Sequence, residues 1–90
     1  MFEKKVVWIT GASSGIGEEL TYQLAAKRNT LIISARRQSE LERVKKNCPE
    51  AAQPNIHILP LDLSDLDSLD AAAEKALKNH DVDVLINNGG

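Results

Sequence analysis

Residues 10–17 read TGASSGIG, and this glycine-rich stretch decides the fold of the 90-residue chain. The near-continuous apolar run Lys5–Thr10 precedes it and an amphipathic pattern follows it, so the glycines form a turn from a strand into a helix. Gly11 permits a sharp turn, Gly15 permits the backbone to approach a pyrophosphate closely, and Gly17 permits the helix to pack against the strand. Because a helix start offers unpaired N–H groups and a partial positive charge, the stretch predicts a dinucleotide-binding loop.

This loop has two alternative interpretations. One is a purely structural turn, but the strand before the glycines and the helix after them supply the context of a dinucleotide site. The other is a P-loop, which the chemistry excludes because no Lys-Ser or Lys-Thr pair follows Gly17 to contact terminal phosphates. Ser13 and Ser14 add hydroxyl donors, which favour the dinucleotide-binding interpretation.

The rest of the chain alternates short apolar runs with longer helical patterns. Strands are predicted over residues 5–10, 31–33, 56–59 and 82–86. Helices are predicted from the glycine loop to about residue 27, and over residues 39–48 and 64–77. The order β-α-β-α-β-α-β predicts an α/β fold, a Rossmann-type doubly wound parallel sheet with strand order 3-2-1-4. We expect residues 1–90 to form one truncated domain of this type.

Each predicted helix carries an apolar stripe that is expected to face the sheet. The three stripes consist, in chain order, of Ile16, Leu20 and Leu24, of Leu41, Val44 and Cys48, and of Leu66, Leu69, Ala73, Ala76 and Leu77. At the helix ends, Asn29 is expected to close the first helix. Ser39 and Glu42 make a capping-box pattern at the start of the second helix, and Ser64 or Asp65 can cap the third.

The predicted strand order leaves the outer edge of the fourth strand without a partner in the chain. An apolar edge that nothing blocks is a template for association with another chain. Two interpretations stay open: the chain is a fragment of a longer protein, or the edge is covered by another subunit.

The residues after the second strand discriminate between the two nicotinamide cofactors. A site for NAD usually places an acidic residue there to accept from the ribose 2′-OH. This chain has Ser34–Arg37, in which two guanidinium groups would attract a 2′-phosphate and no carboxylate would repel it. The alternative is that Arg36 and Arg37 are solvated loop charges. The stretch favours NADP(H).

Composition excludes several other classes of function. Hydrophobic residues make up 42% of the chain and charged residues 27%, which is typical of a globular protein. The net charge of -2 gives no electrostatic reason to bind nucleic acid. No apolar run approaches the roughly 20 residues of a membrane span, so the chain as written is expected to be soluble and cytoplasmic. Cys48 is the only cysteine, which rules out an internal disulfide.

Three motifs together resemble the short-chain dehydrogenase/reductase family. Residues 10–17 match its TGxxxGxG motif, residues 61–63 (LDL) resemble its segment after the third strand, and residues 87–90 (NNGG) resemble its NNAG motif. Within the family, SARRQSELERVKK at residues 34–46 is similar to the dehydrogenase/reductase member-7 group, as is Gly89 in place of Ala. The resemblance implies an NADP(H)-dependent oxidoreductase acting on a carbonyl/alcohol pair of steroid or retinoid type. It also implies association with the endoplasmic reticulum membrane, although this chain lacks the group's hydrophobic anchor.

The resemblance assigns each candidate residue a role toward the cofactor. The pyrophosphate would be lined by the residues of the loop, Gly11, Ser13, Ser14, Gly15 and Ile16. The other contacts would be made by Arg36 and Arg37 to the 2′-phosphate, Asp62 and Leu63 to the adenine, and Asn87 and Gly89 near the adenosine ribose and toward the nicotinamide. Asn88 is expected to tie the fourth strand to its neighbour.

The catalytic Ser and the Tyr-x-x-x-Lys motif of the family are not found in this sequence. Tyr22 is the only tyrosine, and Ala26 stands where the Lys would be, so we expect Tyr22 to pack or face solvent. His57 and His80 are expected to be structural, and the nearby aspartates suit capping and a solvated helix face rather than a metal site. We therefore predict no catalytic residue and no metal ligand. The first expectation is the cofactor-binding part of an oxidoreductase that is inactive alone. There are two alternatives: a short nucleotide-binding product without catalysis, and a protein-interaction module that uses the edge of the fourth strand.

Overall fold

The computed structural model describes residues 2–62 and 64–88, without the side chains of Leu66 and Ser68. Four strands alternate with three α-helices and one 3-10 helix. In chain order they are β1 (Val6–Thr10), α1 (Gly15–Ala25), β2 (Thr30–Ser34), α2 (Gln38–Asn47), the 3-10 helix Glu50–Asn55, β3 (Ile56–Ile58), α3 (Leu66–Asn79) and β4 (Val84–Asn87). All strand pairs are parallel and the order is β3-β2-β1-β4, which confirms the predicted sheet.

The central strand β1 is buried on both faces, as its continuous apolar run predicts. Val7 pairs with Leu31 on one side and with Val84 on the other. Val7 and Ile9 belong to the first core cluster, which includes the buried apolar residues of α1 and α2. Trp8 points to the opposite face, where it packs with the buried alanines of α3. Helices therefore cover both faces of the sheet.

Two residues of the predicted helix stripes face solvent instead of the sheet. Ile16 is 71% exposed, because the face of α1 that packs on the sheet runs through Gly17, Thr21 and Leu24 and not through the first turn's isoleucine. Leu77 is 63% exposed, because the buried face of α3 is centred on Ala72 and Ala76. In both helices the buried face is therefore rotated away from the predicted apolar stripe. It is centred on small residues, which let the helix approach the sheet closely. The side chain of Leu66 lies outside the described residues.

The helix ends confirm two expectations and correct a third. Asn29 is buried and its side-chain amide donates to the Leu24 carbonyl at 2.9 Å, so it closes α1. The Asp65 carboxylate accepts from the N–H of Asp67 at 3.1 Å and caps α3. The capping box at Ser39 is wrong: α2 begins at Gln38, its cap is Arg37, and Ser39 lies inside the first turn.

The sheet ends at β4, which among the described residues pairs only with β1. Val84 and Ile86 are half-buried against the first core cluster, whereas Leu85 between them is 56% exposed. Among residues 2–62 and 64–88, no helix combines the length and the apolar character that crossing a lipid bilayer requires.

Candidate cofactor-binding site

The glycine loop has left-handed backbone at two positions. Gly11 has a φ of 65° and Gly15 a φ of 56°, values that residues with a side chain rarely adopt. A Cβ atom added at Gly15 would meet no heavy atom within 4 Å, so the loop borders open space there. A Cβ atom at Gly17 would lie 2.0 Å from the Gly11 carbonyl oxygen, so α1 passes the loop at a distance that only glycine permits. Open space beside one glycine and close packing at the next suit a turn that receives a phosphate group.

The start of α1 presents polar groups next to that space. Ser14 is the cap residue, with extended backbone and a side chain that makes no capping hydrogen bond. Its carbonyl accepts from the N–H of Glu18 at 3.3 Å. The N–H groups of residues 15–17 precede this bond and have no acceptor within the helix. These N–H groups and the exposed Ser14 hydroxyl can therefore donate to an anion.

The end of β4 is attached to the glycine loop. The Thr10 hydroxyl donates to Asn87 Oδ1 at 2.7 Å and accepts from the N–H of Asn88 at 3.1 Å. The Asn88 side-chain amide donates to the Gly11 carbonyl at 3.4 Å. Asn88 thus ties β4 to its neighbour, as expected from the sequence. Asn87 lies at the same edge of the sheet as the loop, with its side chain engaged by Thr10.

Hydrogen bonds also align the ends of β2 and β3 with the loop. The N–H of Ala12 donates to the Ser34 carbonyl at 3.1 Å, and the N–H of Leu61 donates to the Ala35 carbonyl at 2.9 Å. The buried indole N–H of Trp8 in β1 donates to the Ser34 hydroxyl at 2.8 Å, which holds the end of β2 against β1. The carboxyl ends of all four strands therefore meet at one edge, the place where doubly wound sheets bind ligands.

Charged side chains of both signs lie at this edge. Hydrogen bonds from the hydroxyl (2.6 Å) and the N–H (3.0 Å) of Ser64 lower the pKa of the Asp62 carboxyl, and the nearby charge of Arg36 lowers it further. Asp62 is thus ionised at neutral pH and can accept hydrogen bonds. Arg36 and Arg37 are exposed at the start of α2, on the side of the glycine loop.

A contact that the sequence did not predict joins α2 to the loop. The Arg43 guanidinium donates to both carboxylate oxygens of Glu18, at 3.0 and 3.2 Å, and to the carbonyl of Ser13 at 3.0 Å. It also lies 3.4 Å from the Glu40 carboxylate, one turn earlier in α2. The spacing of Glu40 and Arg43 was the only signal in the sequence, and it indicates a pair within one helix. The contact to the loop depends on how α1 and α2 pack.

Tyr22 extends this network. Its hydroxyl donates to Glu18 Oε2 at 2.7 Å and accepts from the Asn47 side chain at 3.4 Å. Its ring packs against the first core cluster, as expected. Hydrogen bonds from Arg43, and to a smaller extent from Tyr22, lower the pKa of the Glu18 carboxyl. The pKa of Tyr22 is raised, chiefly by burial and also by its hydrogen bond to Glu18.

The structure thus brings most of the predicted site residues to one edge of the sheet. Arg36 and Asp62 are neighbours, and Asn87 lies at the end of β4. The predicted loop residues form the turn into α1 and its first turn: Gly11, Ser13, Ser14, Gly15, Ile16 and Gly17. Leu63 and Gly89, which were predicted to contact the adenine and the nicotinamide side, lie outside the described residues. Across the described ranges, no three His, Cys, Asp or Glu side chains are grouped as metal ligands.

Comparison with known proteins gives a consistent result. The sequence model of the short chain dehydrogenases matches residues 5–90. The chain is 53% identical over 89 residues to dehydrogenase/reductase SDR family member 7 of Homo sapiens, which covers 94% of this chain and 26% of that protein. It is 41% identical over 88 residues to the NADP-dependent 3-hydroxy acid dehydrogenase of Schizosaccharomyces pombe, covering 96% of this chain and 34% of that one.

A solved structure has the same fold. The crystal structure of 3-ketoacyl-(acyl-carrier-protein) reductase from Brucella melitensis complexed with NADH superposes with a TM-score of 0.79 at 32% identity, over 94% of this chain and 34% of that one. The chain therefore spans between a quarter and about a third of the length of the proteins that it matches.

Proposed function

The chain belongs to the short-chain dehydrogenase/reductase family, and on that premise we propose that residues 1–90 are the NADP(H)-binding N-terminal part of an oxidoreductase. The observation that carries the proposal is the glycine loop. It combines open space beside Gly15, unpaired N–H groups at the start of α1, and arginines at the end of the next strand. These groups fit a dinucleotide with a phosphorylated ribose.

The pyrophosphate would be held by the N–H groups of residues 15–17 and by the hydroxyls of Ser13 and Ser14. Ser14 supports this role because its side chain does not cap the helix. The ionised Asp62 carboxylate would accept a hydrogen bond from the adenine amino group. Leu63, the next residue, would also contact the adenine. When bound, the cofactor supplies the hydride that is transferred to or from a carbonyl carbon.

The preference for NADP(H) rests on Arg36 and Arg37. Both are exposed, and the stretch that holds them contains no carboxylate that would repel a phosphate. The relatives do not decide the matter, since one is NADP-dependent by name and another is complexed with NADH. The chain's own residues therefore support the choice.

A carbonyl/alcohol substrate of steroid or retinoid type is proposed from the likeness to the member-7 group. We also propose that the 90 residues bind cofactor without turning over a substrate. The sequence supports this, because its only tyrosine, Tyr22, has its hydroxyl bonded to Glu18 and no Lys four residues later.

A calorimetric titration of the chain with NADPH and with NADH tests the proposal. We expect saturable binding that prefers NADPH and weakens at least about tenfold in the double variant Arg36→Ala/Arg37→Ala. Adenosine 2′,5′-bisphosphate should compete nearly as well as NADPH, because the described contacts lie at that end of the cofactor. The matched control Lys27→Ala/Arg28→Ala removes two exposed charges at the far end of α1 and should bind like the parent. Equal affinity for both cofactors, or equal loss in the control, would contradict the preference.

A second proposed function uses the outer edge of β4 to pair with a second copy of this chain. It is supported by the exposed Leu85 in the middle of an edge strand, since an apolar edge favours strand addition. Sedimentation velocity over a range of concentrations should then show a dimer that Leu85→Lys dissociates. A monomer at all concentrations would refute this function and leave cofactor binding untouched.

A further inference from the structure

A basic depression lies at the opposite edge of the sheet from β4. It is about 330 Å³ in volume and lies beside β3, between α2 and α3. Its polar lining comes from Lys45 of α2, His57 of β3, and Lys75, Asn79 and His80 at the end of α3. None of these residues takes part in the proposed cofactor site. Each of them can donate hydrogen bonds, and four of them can carry a positive charge.

The two histidines, which are 23 positions apart in the sequence, meet in this depression. Their ring centroids are 4.5 Å apart and the rings are tilted by 43°. Burial first, and then the charges of His80 and Lys45, lower the pKa of His57. A negative group placed between the two rings would act against this effect and favour the protonated form of His57.

The depression is basic although the chain as a whole carries a net charge of -2. No carboxylate is found among its described lining residues. Glu42 lines an adjoining depression that shares Lys45, and Glu74 and Asp81 are the sequence neighbours of Lys75 and His80. An anion entering between α2 and α3 would thus meet hydrogen-bond donors from three elements, among them two lysine ammonium groups. A dianion with several acceptor oxygens uses this lining better than a single carboxylate does.

We propose that this depression, lined by Lys45, His57, Lys75 and His80, binds a phosphate group, as inorganic phosphate or as a phosphomonoester. A transition metal is disfavoured there, because two imidazoles are its only ligands among the described lining residues and Lys45 would repel it. The bound phosphate would accept from both lysines and both imidazoles. Its negative charge would favour the protonated form of His57.

The experiment is an NMR titration with inorganic phosphate, with sodium chloride as the ionic-strength control. The chain contains two histidines, so the two ring Hε1 signals report on this depression alone. We expect saturable shifts of both signals, a raised apparent pKa for His57 in phosphate, and at least about tenfold weaker binding in Lys45→Gln/Lys75→Gln.

Two variants separate this site from the cofactor site. Arg36→Ala/Arg37→Ala should leave the phosphate titration of the histidines unchanged, and Lys45→Gln/Lys75→Gln should leave NADPH binding unchanged. Lys75 is exposed and Lys45 is half-buried, and neither belongs to a core cluster, so their replacement leaves the core intact. Shifts that chloride reproduces, that persist in the lysine variant, or that disappear in the arginine variant would overturn the proposal.

Discussion

Replacing Gly17 by Ala tests the closest contact in the glycine loop. The added Cβ would lie 2.0 Å from the Gly11 carbonyl oxygen, 2.9 Å from its carbonyl carbon and 2.8 Å from the Asn88 side-chain nitrogen. Optimal contacts between such atoms are about 3.5 Å, so the loop and α1 would have to separate by roughly 1.5 Å. The nearest of these atoms, the Gly11 carbonyl oxygen, belongs to the backbone, which cannot rotate aside as the Asn88 side chain can.

The expected loss of stability follows from this geometry. Overpacking costs up to about 3 kcal/mol, and a clash with backbone lies at the upper end of that range. Better helix propensity of Ala offsets about 1 kcal/mol, which leaves a net loss of about 2 kcal/mol. For a domain of this size that corresponds to a fall in Tm of at least about 8 °C. Thermal unfolding followed by circular dichroism measures it.

Gly15→Ala is the matched control, because the same methyl there meets open space. Its cost comes only from the left-handed backbone and should be about 1 kcal/mol. We expect this variant to fold and to bind NADPH poorly, since its methyl occupies the space proposed for the pyrophosphate. A Gly17→Ala protein as stable as the parent, or a Gly15→Ala protein with undiminished NADPH affinity, would refute the reasoning.

Three further predictions concern the contacts around the site and the end of α1. Arg43→Ala should weaken NADPH binding several-fold with little change in Tm, because the side chain is largely solvated and positions the loop; Arg43→Lys, which keeps the charge but loses the fork, should recover only part of the affinity. Because Arg43 and Tyr22 lower the pKa of Glu18, the stabilisation by this carboxylate is present above its usual pKa of about 4.3 and is lost as the pH falls below it. The Tm of the parent should therefore exceed that of Glu18→Gln at pH 7, and the two should converge near pH 3. Asn29→Ala removes a buried amide from three backbone partners and should cost about 2 kcal/mol in urea denaturation, whereas the exposed Asn55→Ala should cost little; equal effects would contradict the capping role.

The sheet could be predicted from sequence because its signals are local. Each strand is a short apolar run, and the run Val6–Thr10 is continuous because helices cover both of its faces. Parallel strands joined by helices then leave few possible orders. The glycine spacing could also be interpreted locally, because Gly17 packs against the carbonyl oxygen of Gly11 in the same loop. These features needed no knowledge of distant contacts.

The features that the sequence did not predict depend on how helices pack. Ile16 and Leu77 continue an apolar spacing, but the helices rotate so that Gly17 and the small residues of α3 face the sheet. The contact of Arg43 with the loop joins residues 30 positions apart. The meeting of the two histidines likewise requires α3 to end beside β3. Periodicity describes one helix and contains no information on these relations.

The pairing of the first and last strands also sets the order in which the chain can fold. Asn88 bonds to Thr10 across 78 positions of the sequence, so the glycine loop is completed only after a long further stretch of chain has been synthesised. At the roughly 5–20 residues per second of translation, β1 waits several seconds beside β2 before its other neighbour leaves the ribosome. During that interval Trp8 and its neighbours Val7 and Ile9 have one side of their strand uncovered, and a chaperone or an incorrect strand can occupy it. Closing so long a loop is slow. The open side of β1 is therefore available for incorrect association until β4 pairs with it.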